Sequence, residues 1–141
     1  MKTVSIFFVL LVLAIANAKA ATCEQSLAAT LPQNAELTGL FQCEPEQEGQ
    51  KPVCLAIAKI GDNQYLYQTI QDSVVINSAT TKTIQLVGLS AKYSTTNDNH
   101  RVTSTYWPNA SLLILDYSAR KGFFKGYEIQ DSYSFSCSLK N

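Results

Sequence analysis

Histidine occurs once in the 141 residues, at position 100, and no C-x-x-C pair is present, so a zinc centre would have to gather widely scattered ligands. A glycine-rich phosphate loop is also missing. Ser118-Ala119-Arg120-Lys121 has the S-x-x-K spacing of serine acyl-transferring enzymes, but S-D-N and K-T-G are absent and the segment closes a strand. Gly88-Leu89-Ser90-Ala91-Lys92 lacks the second glycine of a nucleophile elbow. His100 follows Asn97-Asp98-Asn99 with no nucleophile to serve, and reads as a surface turn residue. Neither sign of charge is in excess: 11 basic residues face 11 acidic ones. That balance argues against a nucleic acid or an anionic membrane as the main partner. Together these absences point away from an enzyme and from any cofactor or metal.

What is present begins with Lys2 and an apolar run from Val4 to Ala16, followed by Ala18-Lys19-Ala20. This has the form of a secretory signal with an A-x-A cleavage site, and the run is short for a membrane span. The expected division is a signal peptide over 1–20, a short helical segment over 21–36 and a single β domain over 37–141. The expected location is outside the cell, or the periplasm if the source is bacterial, with no membrane insertion after cleavage. Removal of Lys2 and Lys19 leaves 9 basic residues against 11 acidic. Residues 21–80 hold 2 basic and 7 acidic groups, and residues 81–141 hold 7 and 4. Interleaving of adjacent strands is expected to mix these two halves.

Helical texture is confined to Ala21–Leu31, where Leu27 and Leu31 are spaced for one face and Pro32 ends the run. Thereafter short runs rich in Val, Ile, Thr, Tyr and Phe alternate with turn signals. Strands are predicted near 37–44, 53–60, 64–71, 73–78, 82–93, 100–107, 111–119, 122–130 and 133–140. Gly61-Asp62-Asn63, Asn97-Asp98-Asn99, Pro108-Asn109 and Lys121-Gly122 mark tight connections, with positive φ expected at Gly61 and Asn63. Short connections imply a meander. The predicted fold is therefore all-β: an up-and-down antiparallel barrel of about eight or nine strands with a short N-terminal helix, lipocalin-like in general architecture. A β-sandwich is the alternative. Tyr133, Phe135, Cys137 and Leu139 alternate with serines and are assigned to the core. Leu112 and Ile114 lie opposite Leu113 and Leu115, and the helix is expected to cover them, with self-association as the alternative. Gly88 and Gly126 are read as bends inside strands.

Cys23, Cys43, Cys54 and Cys137 make an even set, which in an exported protein favours two disulfides. Pro45 and Pro52 frame the connection between Cys43 and Cys54 symmetrically. That symmetry favours Cys43–Cys54, leaving Cys23–Cys137. The rival is Cys43–Cys137 with Cys23–Cys54, because the first and last strands of a closed meander are neighbours.

Tyr93, Tyr106, Trp107, Tyr117, Phe123, Phe124 and Tyr127 crowd the second half, mostly as core. Tyr106 and Trp107 fall on opposite faces of one strand, so one of them is a candidate for recognition. Glu46 and Glu48, in the acidic loop 45–52, are candidates for the same role. Asn109-Ala110-Ser111 forms a glycosylation sequon. Gly39-Leu40-Phe41 is similar to the G-x-W that opens lipocalin-like barrels, with Phe in place of Trp, and Ser90-Ala91-Lys92-Tyr93 resembles a segment of small periplasmic lysozyme-inhibitor barrels. Each likeness covers only a few residues and carries no functional residue across. The function expected is that of an exported, disulfide-stabilised, non-enzymatic binding protein for a small apolar ligand or a protein, acting as a monomer or weak dimer. A secreted inhibitor or effector of a foreign enzyme is the alternative, and a hydrolase with a scattered site comes last.

Overall fold

The computed structural model describes residues 22–122 and 126–140. The expected signal segment, Phe123 and Phe124 lie outside the described residues. Helix α1 (Cys23–Thr30) is followed by nine strands: β1 (Glu36–Pro45), β2 (Val53–Gly61), β3 (Gln64–Gln71), β4 (Val74–Thr80), β5 (Gln85–Val87), β6 (Ser90–Asn97), β7 (His100–Trp107), β8 (Leu112–Arg120) and β9 (Tyr127–Leu139). All pair antiparallel in one sheet of order β4-β3-β2-β1-β9-β8-β7-β6-β5. The sheet curls into a half-barrel around one apolar interior.

Local chemistry accounts for most of these bounds. Thr22 caps α1 by accepting from the Gln25 amide at 3.3 Å, and the Gln25 side chain accepts from the Thr22 amide at 3.0 Å. Pro45 ends β1, and Pro52 stands immediately before β2. Asp72 and Ser73 both take positive φ, as the two-residue β3–β4 turn requires. At the β2–β3 turn only Asn63 does so, and Gly61 does not. Gly88 is the left-handed residue of the β5–β6 turn, and Gly126 precedes β9, so neither bends a strand. The single strand predicted over 82–93 is thus two strands around that turn. Conversely, the segments predicted at 122–130 and 133–140 fuse into the long β9. No local turn signal separates them.

The core confirms the alternation of β9 only in part. Phe135 is fully buried and Cys137 nearly so, but Leu139 is 62% exposed because it sits beyond the reach of the apolar interior. The inward faces supply Val53, Leu55, Tyr93, Tyr106, Leu113, Leu115 and Phe135 to one cluster. A second cluster lies on the opposite face of β1–β3, where Cys23 and Leu27 of α1 pack on Leu40, Cys54, Ala56 and Ile70. The helix therefore covers β1–β3 and not Leu112 and Ile114, which are half-buried without it. The disulfide from Cys23 to Cys54 holds it there.

That bond and its partner, Cys43–Cys137, overturn the favoured pairing. In the β1–β2 ladder Cys43 faces Val53, and Gln42 faces Cys54. One residue of register places Cys43 and Cys54 on opposite faces of the sheet, where no bridge can form. The proline symmetry located the loop correctly but not the register. In the β1–β9 ladder Cys43 and Cys137 are direct partners, with Cα atoms 4.0 Å apart. Two disulfides in such a β fold are compatible with a stabilised extracellular protein.

The expected interleaving of the two halves does not occur in the strand order. Strands β1–β4 are contiguous in the sheet, as are β5–β9, and the two sets share a ladder only at β1–β9. Although chain-adjacent strands pair elsewhere, β4 and β5 do not. Side chains close that gap instead. Thr95 donates to Asn77 Oδ1 at 2.6 Å, and Asn77 Nδ2 donates to the Tyr93 carbonyl and to Ser104 Oγ, each at 2.9 Å.

Candidate functional site

The interior is the first place to look for a ligand. There Thr69 Oγ1 lies 2.8 Å from the Tyr93 hydroxyl and 2.9 Å from Ser104 Oγ. These contacts join β3 to β6 and β7 across the curl, so at this level the interior is filled by the protein's own side chains. Ring pairs Phe41–Tyr106 and Tyr67–Tyr93, with centroids 5.6 and 6.0 Å apart, add to that filling. Burial pushes the Tyr93 phenol up to about 12, against hydrogen bonds from Thr69 and Ser104 that act the other way. In the unfolded chain the phenol titrates near 10. Stability contributed by neutral Tyr93 is therefore complete below pH 10 and is lost as pH rises from there through about 12. Tyr93→Phe is expected to flatten the alkaline limb of the stability curve in that window, measured by urea unfolding at stepped pH.

The outer face of β6–β9 carries a different site, a polar trough of about 500 Å³. Register explains its floor. Thr96, Arg101 and Ser118 stand in one cross-strand row, and Ser94, Thr103 and Asp116 in the next. Thr103 and Ser118 are buried although they face outward. Thr83 and Gln85 form one wall beside β6, and Tyr127 and Ile129 form the other.

The second wall depends on a β-bulge. Tyr117 faces Asp131 but Ser118 faces Ile129, leaving Gln130 as the extra residue of β9. Odd-numbered residues Tyr133 and Phe135 point inward after the bulge. Before it, Tyr127 and Ile129 line the outward trough, Ile129 with 58% exposure. Strict alternation through β9 would have placed them in the core.

The trough is rich in hydrogen-bonding groups and short of ion pairs. Ser94 and Thr103 hydroxyls are 2.8 Å apart, and Ser132 donates to Asp116 Oδ1 at 2.7 Å. Arg101 Nε donates to Thr96 Oγ1 at 3.3 Å, and its guanidinium carbon lies 4.0 Å above the Tyr127 ring. Among the described residues the ion pairs are Lys51–Asp72 and Lys121–Glu128, so Lys92 and Arg101 in the trough have no carboxylate partner. Such a surface can hold a ligand with several hydroxyl or carbonyl groups.

The residues singled out from sequence are dispersed. Tyr106 is buried against Phe41, and Trp107, next along β7, is half-buried on the outer face. Glu46 belongs to a loop that docks on β9. Its amide donates to the Ser134 carbonyl at 2.9 Å, and Ser136 Oγ donates to its carboxylate at 3.2 Å. Glu48 is exposed beyond that contact. His100 lies at the β6–β7 turn, beside a second cleft of about 380 Å³ that it lines with Arg120. None of the candidates enters the trough. The missed signal was the run of serines and threonines on β6 and β7, flanked by Lys92 and Arg101. Compared with protein-family models, curated proteins and solved structures, the chain has no significant match in any of the three.

Proposed function

We propose that this protein is an exported, non-enzymatic binding protein whose recognition site is the outer trough of β6–β9. The single observation that carries this reading is a concave polar surface whose cations Lys92 and Arg101 have no carboxylate partner among the described residues. Its volume falls within the usual range for small-ligand sites, about 300–1,000 Å³. A ligand displacing water there meets buried hydroxyls at Thr103 and Ser118, an acceptor at Asp116 and donors at Lys92 and Arg101. The ligand class is thus polar rather than apolar, because the interior that an apolar ligand would need is crossed by hydrogen-bonded side chains. Binding of oligosaccharides to a glycan array, followed by calorimetry, tests the proposal. Ser94→Trp, an exposed position in the trough, should weaken any such binding about tenfold or more at a stability cost of about 1 kcal/mol for the lost bond to Thr103. Retention of full affinity by that variant would place the site elsewhere.

A second reading rests on the β5–β6 hairpin. Leu86, Val87 and Leu89 are 81%, 55% and 70% exposed at its tip, an apolar projection suited to insertion in a partner's cleft. It supports the inhibitor or effector alternative, with this hairpin and not the docked loop 45–52 as the contact. Loss of protein capture on Leu86→Ser/Leu89→Ser, with glycan binding unchanged, would favour it.

A further inference from the structure

We infer that the ligand of the trough is an anionic oligosaccharide whose carboxylate or sulfate group is held between Arg101 and Arg120 at the Tyr127 end. This rests on the trough being the recognition site. Register brings the three side chains together: Arg101 faces Ser118, Arg120 lies two residues further along the same face of β8, and Tyr127 is opposite Arg120. The guanidinium carbon of Arg101 is 4.0 Å from the centroid of the Tyr127 ring, and that of Arg120 is 5.6 Å from it. The aromatic face attracts both cations. It does not neutralise them, and at a separation of at most about 10 Å the two charges repel.

Neither guanidinium has a carboxylate within ion-pairing distance among the described residues. Of the acids on β8 and β9, Glu128 pairs with Lys121 at 3.0 Å and Asp116 accepts from Ser132, while Asp98 of the β6–β7 turn meets Tyr127 through its backbone carbonyl at 3.2 Å. An anion seated between the two forks would relieve the repulsion and use the planar donors that stacking leaves free. Arg101 and Tyr127 line the trough, and Arg120, which lines the second cleft, reaches the same Tyr127 ring, so the anionic group sits over that ring.

The rest of the trough gives the ligand its class and direction. A free inorganic anion needs only the two arginines. A chain of hydroxyl-bearing rings would in addition meet Thr103, Ser118 and the Asp116 carboxylate, which lies on the side of Arg101 away from Arg120. Asp116 repels a negative group and accepts from hydroxyls, so the ligand lies with its charge toward Arg120.

The test is calorimetry on the oxidised full-length protein with a heparin-derived tetrasaccharide, neutral cellotetraose and inorganic sulfate as probes. The sulfated tetrasaccharide should bind about tenfold or more tightly than the neutral one, and sulfate alone should bind far more weakly than either. Arg120→Met, outside the trough lining, should abolish the preference for charge and leave neutral binding within about twofold, whereas Arg101→Met should abolish the preference and also weaken neutral binding. Thermal unfolding of each variant checks that the fold is kept. If both tetrasaccharides bind equally and Ser94→Trp removes both, the trough stands and the anion clamp is wrong. Sulfate binding as tightly as the tetrasaccharide would overturn the saccharide class. No binding by any of the three would sink the clamp and the trough together.

Discussion

Replacing Cys43 and Cys137 together by alanine is expected to cost about 4–5 kcal/mol, the entropic worth of closing a loop of some hundred residues. The two cysteines are 94 residues apart, the longer of the two bridged spans. Their position adds to the effect. The β1–β9 ladder is the one strand pairing between β1–β4 and β5–β9, and this bond sits within it. Cys23 and Cys54 are separated by 31 residues, so their joint replacement should cost less, about 3–4 kcal/mol. It should release α1 while leaving the sheet in place. Urea unfolding of the two double variants measures both. A loss below about 1 kcal/mol for the Cys43/Cys137 variant would mean the ladder holds without its staple. Non-reducing peptide mapping gives an independent check, since recovery of a Cys43–Cys54 peptide is incompatible with the register.

Asn77→Ala is expected to cost about 3 kcal/mol, through several buried partners left without a bond together with the small cavity created. Asn77 is 1% exposed and bridges β4 to the neighbouring half of the curl. Its amide donates to the Tyr93 carbonyl and Ser104 Oγ, and its carbonyl accepts from Thr95. Because β4 and β5 share no ladder, these bonds and the Ser78 amide to Thr95 Oγ1 bond at 3.2 Å are what hold the β4 edge. Hydrogen exchange should accordingly accelerate in Val74–Thr80 before it does so in β1 or β9. A variant that loses stability uniformly, with β4 no more exchangeable than β8, would show that the seam is closed by packing alone.

The fold was legible where local chemistry decides it. Turn residues at 61–63 and 97–99 located two hairpins, and the prolines framed the 45–52 connection, but the predicted connections omit the Asp72-Ser73 turn and place Ser73 in a strand. The number of strands agreed with expectation only because one predicted strand is split at Gly88 and two are fused into β9. The site was much less legible. Nothing in the sequence around Tyr127 announces that Gln130 is an extra residue, since a bulge is defined by the partner strand. Thr69, Asn77 and Ser104 look like ordinary outward strand residues, yet they are buried because they satisfy one another. Tyr106 was chosen for its type and proved to be core.

Composition, turn chemistry and the even cysteine count determined by themselves an antiparallel all-β meander with a short leading helix and two disulfides. Those features depend on backbone propensity and on residue number, which each segment carries with it. Tertiary structure alone decided which cysteines pair and which face Tyr127 and Ile129 take. Each of these depends on register between strands, and a shift of one residue exchanges the two faces of a sheet. The "LFQCEPEQEGQKPVCLAI" stretch shows the division: its prolines mark the loop, but only the neighbouring strands assign Cys43 to Cys137 and Cys54 to Cys23.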